Sequence, residues 1–201
     1  LTLALMLLLA ALSAYFLYRG LDEEEFSSTL KQALATLLIV AFIVNFTGLF
    51  LRRISELVEQ EPRVYIAYPA MLSTIGDVGS IVGSVTTTRL ALGLMKPAAK
   101  ELKLLKSDIA SVMLASTVMY TIYAMMANAV VVGFPFEPLF LARLMLVNVL
   151  GCFVVSILSY AVALTAFRKQ LDPDNFVIPI ESSAADNVVT LLVLASLFAK
   201  W

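Results

Sequence analysis

The sequence predicts an all-α integral membrane protein with about six transmembrane helices. Of its 201 residues, 61% are hydrophobic and only 14% are charged, and its mean hydropathy is +0.93. A soluble domain has roughly 25% charged residues, so this apolar excess requires lipid as its solvent. The apolar residues form long runs with no alternating pattern, which favours helical spans over a β-barrel.

Six apolar segments reach the roughly 20 residues that a helix needs to cross a bilayer. They are residues 1–18, 32–51, 64–93, 107–132, 138–167 and 176–199. Almost all charged residues lie in the connections, which are residues 19–31, 52–63, 94–106, 133–137 and 168–175.

Two of the six segments are longer than one straight crossing. Segment 64–93 contains Pro69 and several glycines, so we expect a tilt, a kink or a break within it. Segment 138–167 opens with a proline, and we expect that it includes an interfacial turn.

The basic residues predict which side of the membrane each connection faces. Connections 19–31, 94–106 and 168–175 contain eight Lys and Arg residues, whereas 52–63 and 133–137 contain three. Positive residues favour the cytoplasm. The sequence therefore predicts a multi-pass protein of the cell membrane with connections 19–31, 94–106 and 168–175 in the cytoplasm and the C-terminus outside.

Composition also excludes several kinds of partner. The formal net charge is −1, and no basic, aromatic-rich segment exists, so we expect no nucleic-acid partner. The chain has no His and a single Cys, Cys152. It therefore lacks the commonest transition-metal ligand and cannot form an internal disulfide, and we expect Cys152 to be an inert core thiol.

Three carboxylates lie at span depth: Asp77, Glu181 and Asp186. Each costs about 2.5–3.5 kcal/mol to place there. The nearest arginines, Arg89 and Arg143, lie toward the ends of spans. Without a cationic partner, a buried carboxylate must be protonated or must hold a cation. We therefore predict that Asp77 and Asp186 bind a transported ion.

Polar and small residues surround these carboxylates at helical spacing. Ser182, Ser183 and Asn187 lie near Asp186, and Gly76 and Ser80 lie near Asp77; we predict that they line the ion path. A helix-packing seam explains the serines and glycines equally well. Glu181 either lines a vestibule or reaches toward the membrane interface.

Oxygen ligands without His or thiolate favour hard cations. Mg²⁺ is the expected ion, with Ca²⁺ or Mn²⁺ as alternatives. Because a few carboxylates cannot replace an octahedral shell, we expect the ion to keep most of its waters.

Two stretches carry a resemblance to a known family. YPAMLSTIGDVGSIVGSVTTTRLALG (68–93) and LDPDNFVIPIESSAADNVVTLL (171–192) resemble spans of the MgtE-type magnesium transporters. The resemblance covers about residues 32–201 and implies a Mg²⁺ pathway at a two-fold interface between two five-span units. The ion-binding Asp of the family falls on Asp186, and Asp77 stands where the family usually has Asn.

The resemblance divides the chain into an extra helix with a cytoplasmic linker, 1–31, and a five-span MgtE-like unit, 32–201. Because five is odd, two parallel units in one chain need an additional span between them. We expect that segment 1–18 is that span in a longer tandem-repeat protein, or that the chain forms a homodimer through 64–93 and 176–199. An ordinary added N-terminal span is the alternative. In each case segment 1–18 should face lipid.

Two other function classes compete with a transporter. An intramembrane aspartyl protease would use Asp77 and Asp186 as a dyad. The signatures of such enzymes fail at Thr74, Ala185 and Met71. A non-transporting membrane subunit would keep its aspartates protonated and packed. A divalent-cation transporter, and not an enzyme, is the expected function.

Overall fold

The computed structural model describes residues 2–20, 24–58, 61–131, 133 and 137–198. The described residues form six α-helices and one 3₁₀ helix. The α-helices are α1 (Thr2–Gly20), α2 (Glu24–Val58), α3 (Pro62–Ala91), α4 (Lys106–Val131), α5 (Pro138–Arg168) and α6 (Pro173–Phe198), and the 3₁₀ helix is Ala99–Leu105. The all-helical prediction is confirmed.

Five of these helices are long and apolar enough to cross a membrane: α1, α2, α4, α5 and α6. Helix α3 has 30 residues, about 45 Å at the usual rise, so its length suffices. Helix α3 is not apolar enough to be counted with the other five, because its central and last turns are rich in Ser, Thr and Gly and include Asp77. The predicted span 64–93, which corresponds to α3, is therefore long enough to cross the membrane but more polar than the other five.

The predicted break in segment 64–93 and the predicted interfacial turn in segment 138–167 are wrong, whereas a tilt or kink of 64–93 stays a prediction. Helix α3 continues from Pro62 to Ala91 through Pro69 and its glycines, and α5 continues from Pro138 to Arg168 without an interfacial turn. Neighbouring helices cover α3 on several sides, and such packing supports a helix where Pro removes one hydrogen bond. Helix α2 begins at Glu24, so most of the predicted linker 19–31 is helical.

The core forms where α3, α5 and α6 pack on one another. Helix α4 packs against α3 and α5, and α2 packs mainly along α6. Small residues allow the close contacts: a Cβ added to Gly151 of α5 would lie 3.3 Å from Ile75 of α3. Cys152 is buried beside Ser116 of α4, as expected for a core thiol.

Helix α1 lies apart from this core. Every side chain from residue 3 to 19 is exposed, which is compatible with the predicted contact with lipid. Its role as a linker between repeats stays a prediction. The predicted position of the C-terminus at Lys200 and Trp201 lies outside the described residues.

Polar contacts connect neighbouring helices at both ends of the bundle. At one end, Arg63 donates to both carboxylate oxygens of Glu61 and to Glu137, and its guanidinium lies 4.6 Å from the centre of the Phe140 ring. Arg63 also donates to Asn128 Oδ1 at 3.3 Å, which joins the ends of α3, α4 and α5.

At the other end, side chains fix the connection between α3 and α4. Arg89 donates to the Leu104 carbonyl and to the Asp108 carboxylate, both at 3.0 Å. Arg168 of α5 donates to the Pro97 carbonyl at 3.0 Å, and the Tyr160 hydroxyl donates to the Ala98 carbonyl at 2.8 Å. The arginines at this end therefore have partners of their own and do not neutralise the carboxylates at mid-span.

Candidate ion-binding site

Helices α3 and α6 run antiparallel and bring the three predicted carboxylates to a similar depth. Tyr68 pairs with Thr190, and Ser80 pairs with Glu181. This register places Asp77 at a level between Glu181 and Asp186. Because those two positions of α6 are five residues apart, all three carboxylates lie within about 8 Å along the helix axis.

Glu181 is fully buried, with 0% of its surface exposed. Its Oε2 accepts a hydrogen bond of 2.9 Å from Ser80, while its Oε1 is buried and has no hydrogen-bond partner. The side chain fits against Gly79, where an added Cβ would lie 1.8 Å from Oε1. Of the two alternatives for Glu181, the one that reaches toward the interface is wrong, because the absence of a side chain at Gly79 leaves room for Glu181 between the helices. A position in a vestibule stays a prediction.

Asp186 is half-buried on α6 beside α3. Its backbone carbonyl accepts a hydrogen bond of 2.5 Å from Thr190, whose Oγ1 is 2.6 Å from the Tyr68 hydroxyl. These contacts fix the backbone of this turn. Within the described part of the chain, the Asp186 carboxylate has no hydrogen bond and no ion pair, so its oxygens remain available to a ligand.

Asp77 lies on the exposed face of α3. It lines a groove of about 220 Å³ between α3 and α4, with Ser73 on the same helix and Tyr123 opposite. A hydrogen bond of 2.9 Å between Thr74 and Tyr123 closes the base of this groove. Among the described residues, the Asp77 carboxylate also has no hydrogen-bond or ion-pair partner. The predicted helix break around it is absent, so no freed backbone carbonyl accompanies Asp77.

The remaining predicted path residues differ in their surroundings. Ser182 and Ser183 donate back to the Pro179 carbonyl at 3.4 and 2.8 Å. Asn187 donates to the Ile43 carbonyl of α2 at 2.9 Å and therefore links α2 to α6. Gly76 has open space around it, since an added Cβ would meet nothing within 4 Å. Only Ser80, through Glu181, contacts one of the three carboxylates.

The carboxylates are neighbours but do not form one compact site. Glu181 interacts electrostatically with both Asp77 and Asp186. Over the residues that the structure covers, no three acidic or cysteine side chains are close enough to hold one metal ion. This spacing suits a hydrated ion that meets the carboxylates through its waters better than a fully dehydrated one.

Sequence reasoning did not identify the hydroxyl pairs that position these helices. Tyr68–Thr190 joins α3 to α6, and Thr74–Tyr123 joins α3 to α4. The only signal in the sequence is a hydroxyl-bearing residue in an otherwise apolar span. That signal does not reveal which helices will meet.

Comparison with known proteins gives one match. The model of the MgtE family, described as divalent cation transporter, matches residues 68–197. The matched range runs from the second turn of α3 to the last turn of α6 and so contains all three carboxylates. Comparisons with curated proteins and with solved structures give no significant match.

Proposed function

Because the chain belongs to the MgtE family of divalent cation transporters, we propose that it conducts Mg²⁺ along the exposed polar face of α3, which contains Asp77, past Asp186 of the adjacent α6. Asp186 and Asp77 are the residues that attract and hold the ion. The transported ion is a substrate that keeps much of its water shell. Ca²⁺ and Mn²⁺, which also prefer oxygen ligands, are the competing cations.

One observation carries this proposal. Asp77 and Asp186 lie within about two turns of each other across an antiparallel helix pair, and neither carboxylate has a hydrogen bond or an ion pair among the described residues. A carboxylate that faces lipid without a partner is costly. An aqueous path with cations in it removes that cost.

A second five-helix unit completes the path in this proposal. The exposed face of α3 contains Ser73, Asp77 and Ser84, which are too polar to face lipid tails. We assign this face to the contact with a parallel unit, either a second copy or a second repeat. The unit comprises the predicted residues 32–201 together with the first turns of α2, which begins at Glu24, and the residues before Glu24 form the added helix and its connection.

The basic residues support the orientation within the membrane. The connection between α3 and α4 contains or adjoins four lysines, Lys96, Lys100, Lys103 and Lys106, and therefore lies in the cytoplasm. The Arg63 cluster then lies at the outer surface.

Ion flux into proteoliposomes tests the proposal. The intact chain should carry Mg²⁺ down its gradient, and Asp186→Ala should reduce the flux to that of protein-free liposomes. Folding should be retained, because the substitution removes a carboxylate and leaves no cation without a partner.

Glu101→Ala is the matched control, since it removes a carboxylate from the 3₁₀ helix and away from the path. It should leave Mg²⁺ flux unchanged. A well-folded Asp186→Ala protein with wild-type flux would contradict the site, and a wild-type protein without divalent flux would contradict the function.

A further inference from the structure

A second cavity lies on the lipid-facing side of the helix bundle, away from the proposed ion path. It is a groove of about 470 Å³ between α4, α5 and the 3₁₀ helix. Ile109 and Met113 of α4 and Phe153 of α5 form apolar walls, and Phe153 is 59% exposed. Because α4 and α5 are apolar enough to cross the membrane, this groove opens toward lipid.

Positive charge is concentrated at one end of this groove. Lys103 and Lys106 line it where the 3₁₀ helix meets α4. From Lys106 to Met113 the groove extends about 10 Å along α4. An occupant that fits has an apolar body and an anionic head at the membrane surface.

A buried hydroxyl in the wall of the groove is compatible with the same kind of molecule. Ser156 lines the groove and is only 2% exposed, and its Oγ has no hydrogen-bond partner among the residues that the structure describes. An unpaired buried hydroxyl costs roughly 1–3 kcal/mol. The antiparallel packing of α4 and α5 places Ser156 about one helical turn from Lys106, deeper in the membrane, where the ester carbonyl of a glycerophospholipid lies below its phosphate.

We propose that this groove binds one anionic glycerophospholipid. Its phosphate lies at Lys103 and Lys106, an ester carbonyl accepts a hydrogen bond from Ser156, and an acyl chain lies along Ile109, Met113 and Phe153. A water-soluble anion does not explain the apolar walls. A zwitterionic lipid does not explain the paired lysines, because basic pockets at the membrane surface select anionic head groups.

Native mass spectrometry of the intact chain tests the lysines. The protein is incubated with phosphatidylglycerol and with phosphatidylcholine of identical acyl chains. The wild type should retain phosphatidylglycerol preferentially, and the double variant Lys103→Gln/Lys106→Gln should lose about ten- to thirtyfold of that preference. The matched control Lys96→Gln/Lys100→Gln removes the same charge from the same connection outside the groove and should keep it.

Equal losses in both double variants would overturn the proposal, because the selectivity would then follow net charge alone. Equal retention of the two lipids by the wild type would overturn it as well. Neither measurement depends on ion transport, so the lipid site and the proposed function can fail separately.

Thermal unfolding in detergent tests the hydroxyl. Ser159 of α5 is also buried with an unpartnered Oγ, but it does not line the groove. Ser156→Ala should reduce the rise in unfolding temperature that phosphatidylglycerol produces, whereas Ser159→Ala should not. An unchanged rise in Ser156→Ala would remove Ser156 from the site.

Discussion

Asp77 and Glu181 carry the same chemical group at neighbouring depths, yet their surroundings differ. Glu181 is enclosed between helices and receives a hydrogen bond from Ser80. Asp77 is exposed and has an open groove beside it. A buried carboxylate with one donor contributes to the fit of α3 on α6, whereas an exposed one without a partner is free to attract a cation.

Asp77→Asn is therefore expected to change ion binding while leaving the fold intact. Asn has the same shape but no charge, so the field that attracts a divalent ion becomes weaker. We expect the half-saturating Mg²⁺ concentration in the flux assay to rise about tenfold, with reduced discrimination against monovalent ions. Transport should persist, because Asn keeps an oxygen ligand at this position.

Ser73→Asn is the comparison for that variant, since it places an amide one turn away on the same face without removing a charge. It should not reproduce the change in ion affinity. An Asp77→Asn protein with unaltered affinity and selectivity would show that Asp77 does not contact the path.

At the scale of the helix, α3 presents different residues to its three neighbours. Gly79 and Gly83 lie on the side of α3 that packs against α5 and α6. A Cβ added to Gly79 would lie 2.5 Å from Val155 of α5, and a Cβ added to Gly83 would lie 2.6 Å from Val177 of α6. Ser73, Asp77 and Ser84 lie on the opposite, exposed face. The glycines thus permit close packing on one side and leave the polar stripe uncovered on the other.

Gly79→Ala should destabilise the protein by about 1–3 kcal/mol, the usual cost of overpacking a core. The added methyl group would displace Glu181 and Val155 together, and Val155 is itself buried. Thermal or denaturant unfolding in detergent measures the loss.

Gly48→Ala in α2 is the matched control, because nothing lies within 4 Å of its added Cβ. That variant should be neutral or slightly stabilised, since Ala favours a helix by up to about 1 kcal/mol relative to Gly. Equal stability of the Gly79→Ala and Gly48→Ala proteins would mean that α3 and α6 are less closely packed than described.

At the scale of the whole molecule, we propose that a second unit covers the exposed polar face of α3. The proposed second unit would bring two copies of this face together around a two-fold axis, with four carboxylates, Asp77 and Asp186 from each unit, near the ion path. This arrangement predicts a contact that crosslinking can detect.

Ser73→Cys should form a disulfide-linked dimer on mild oxidation in liposomes, because Ser73 is exposed on the proposed interface. The single native thiol, Cys152, is buried and should not react. Gel electrophoresis without reductant measures the dimer.

Leu38→Cys provides the control for that experiment. Leu38 is exposed on α2, away from the α3 face, and should crosslink much more slowly. Comparable rates at the two positions would indicate random collisions and would argue against this interface.

The sequence by itself determined the class of the protein and the residues worth testing. Composition and apolar runs predicted a helical membrane protein, because the bilayer sets both the length and the apolarity of a span. The cost of a carboxylate at span depth singled out Asp77, Glu181 and Asp186. The resemblance in residues 68–93 and 171–192 pointed to the family whose model matches residues 68–197.

Only the tertiary structure decided how those residues differ. Periodicity places a side chain on a face of its own helix, but not against a particular neighbour. The fit of Glu181 to Gly79 depends on the approach of α6 to α3, and the continuity of α3 through Pro69 depends on packing that local propensity does not contain. The sequence therefore named three carboxylates at span depth. Helix packing distinguished the fully buried Glu181 from the half-buried Asp186 and the exposed Asp77, because burial and hydrogen bonding are set by contacts between residues distant in the chain.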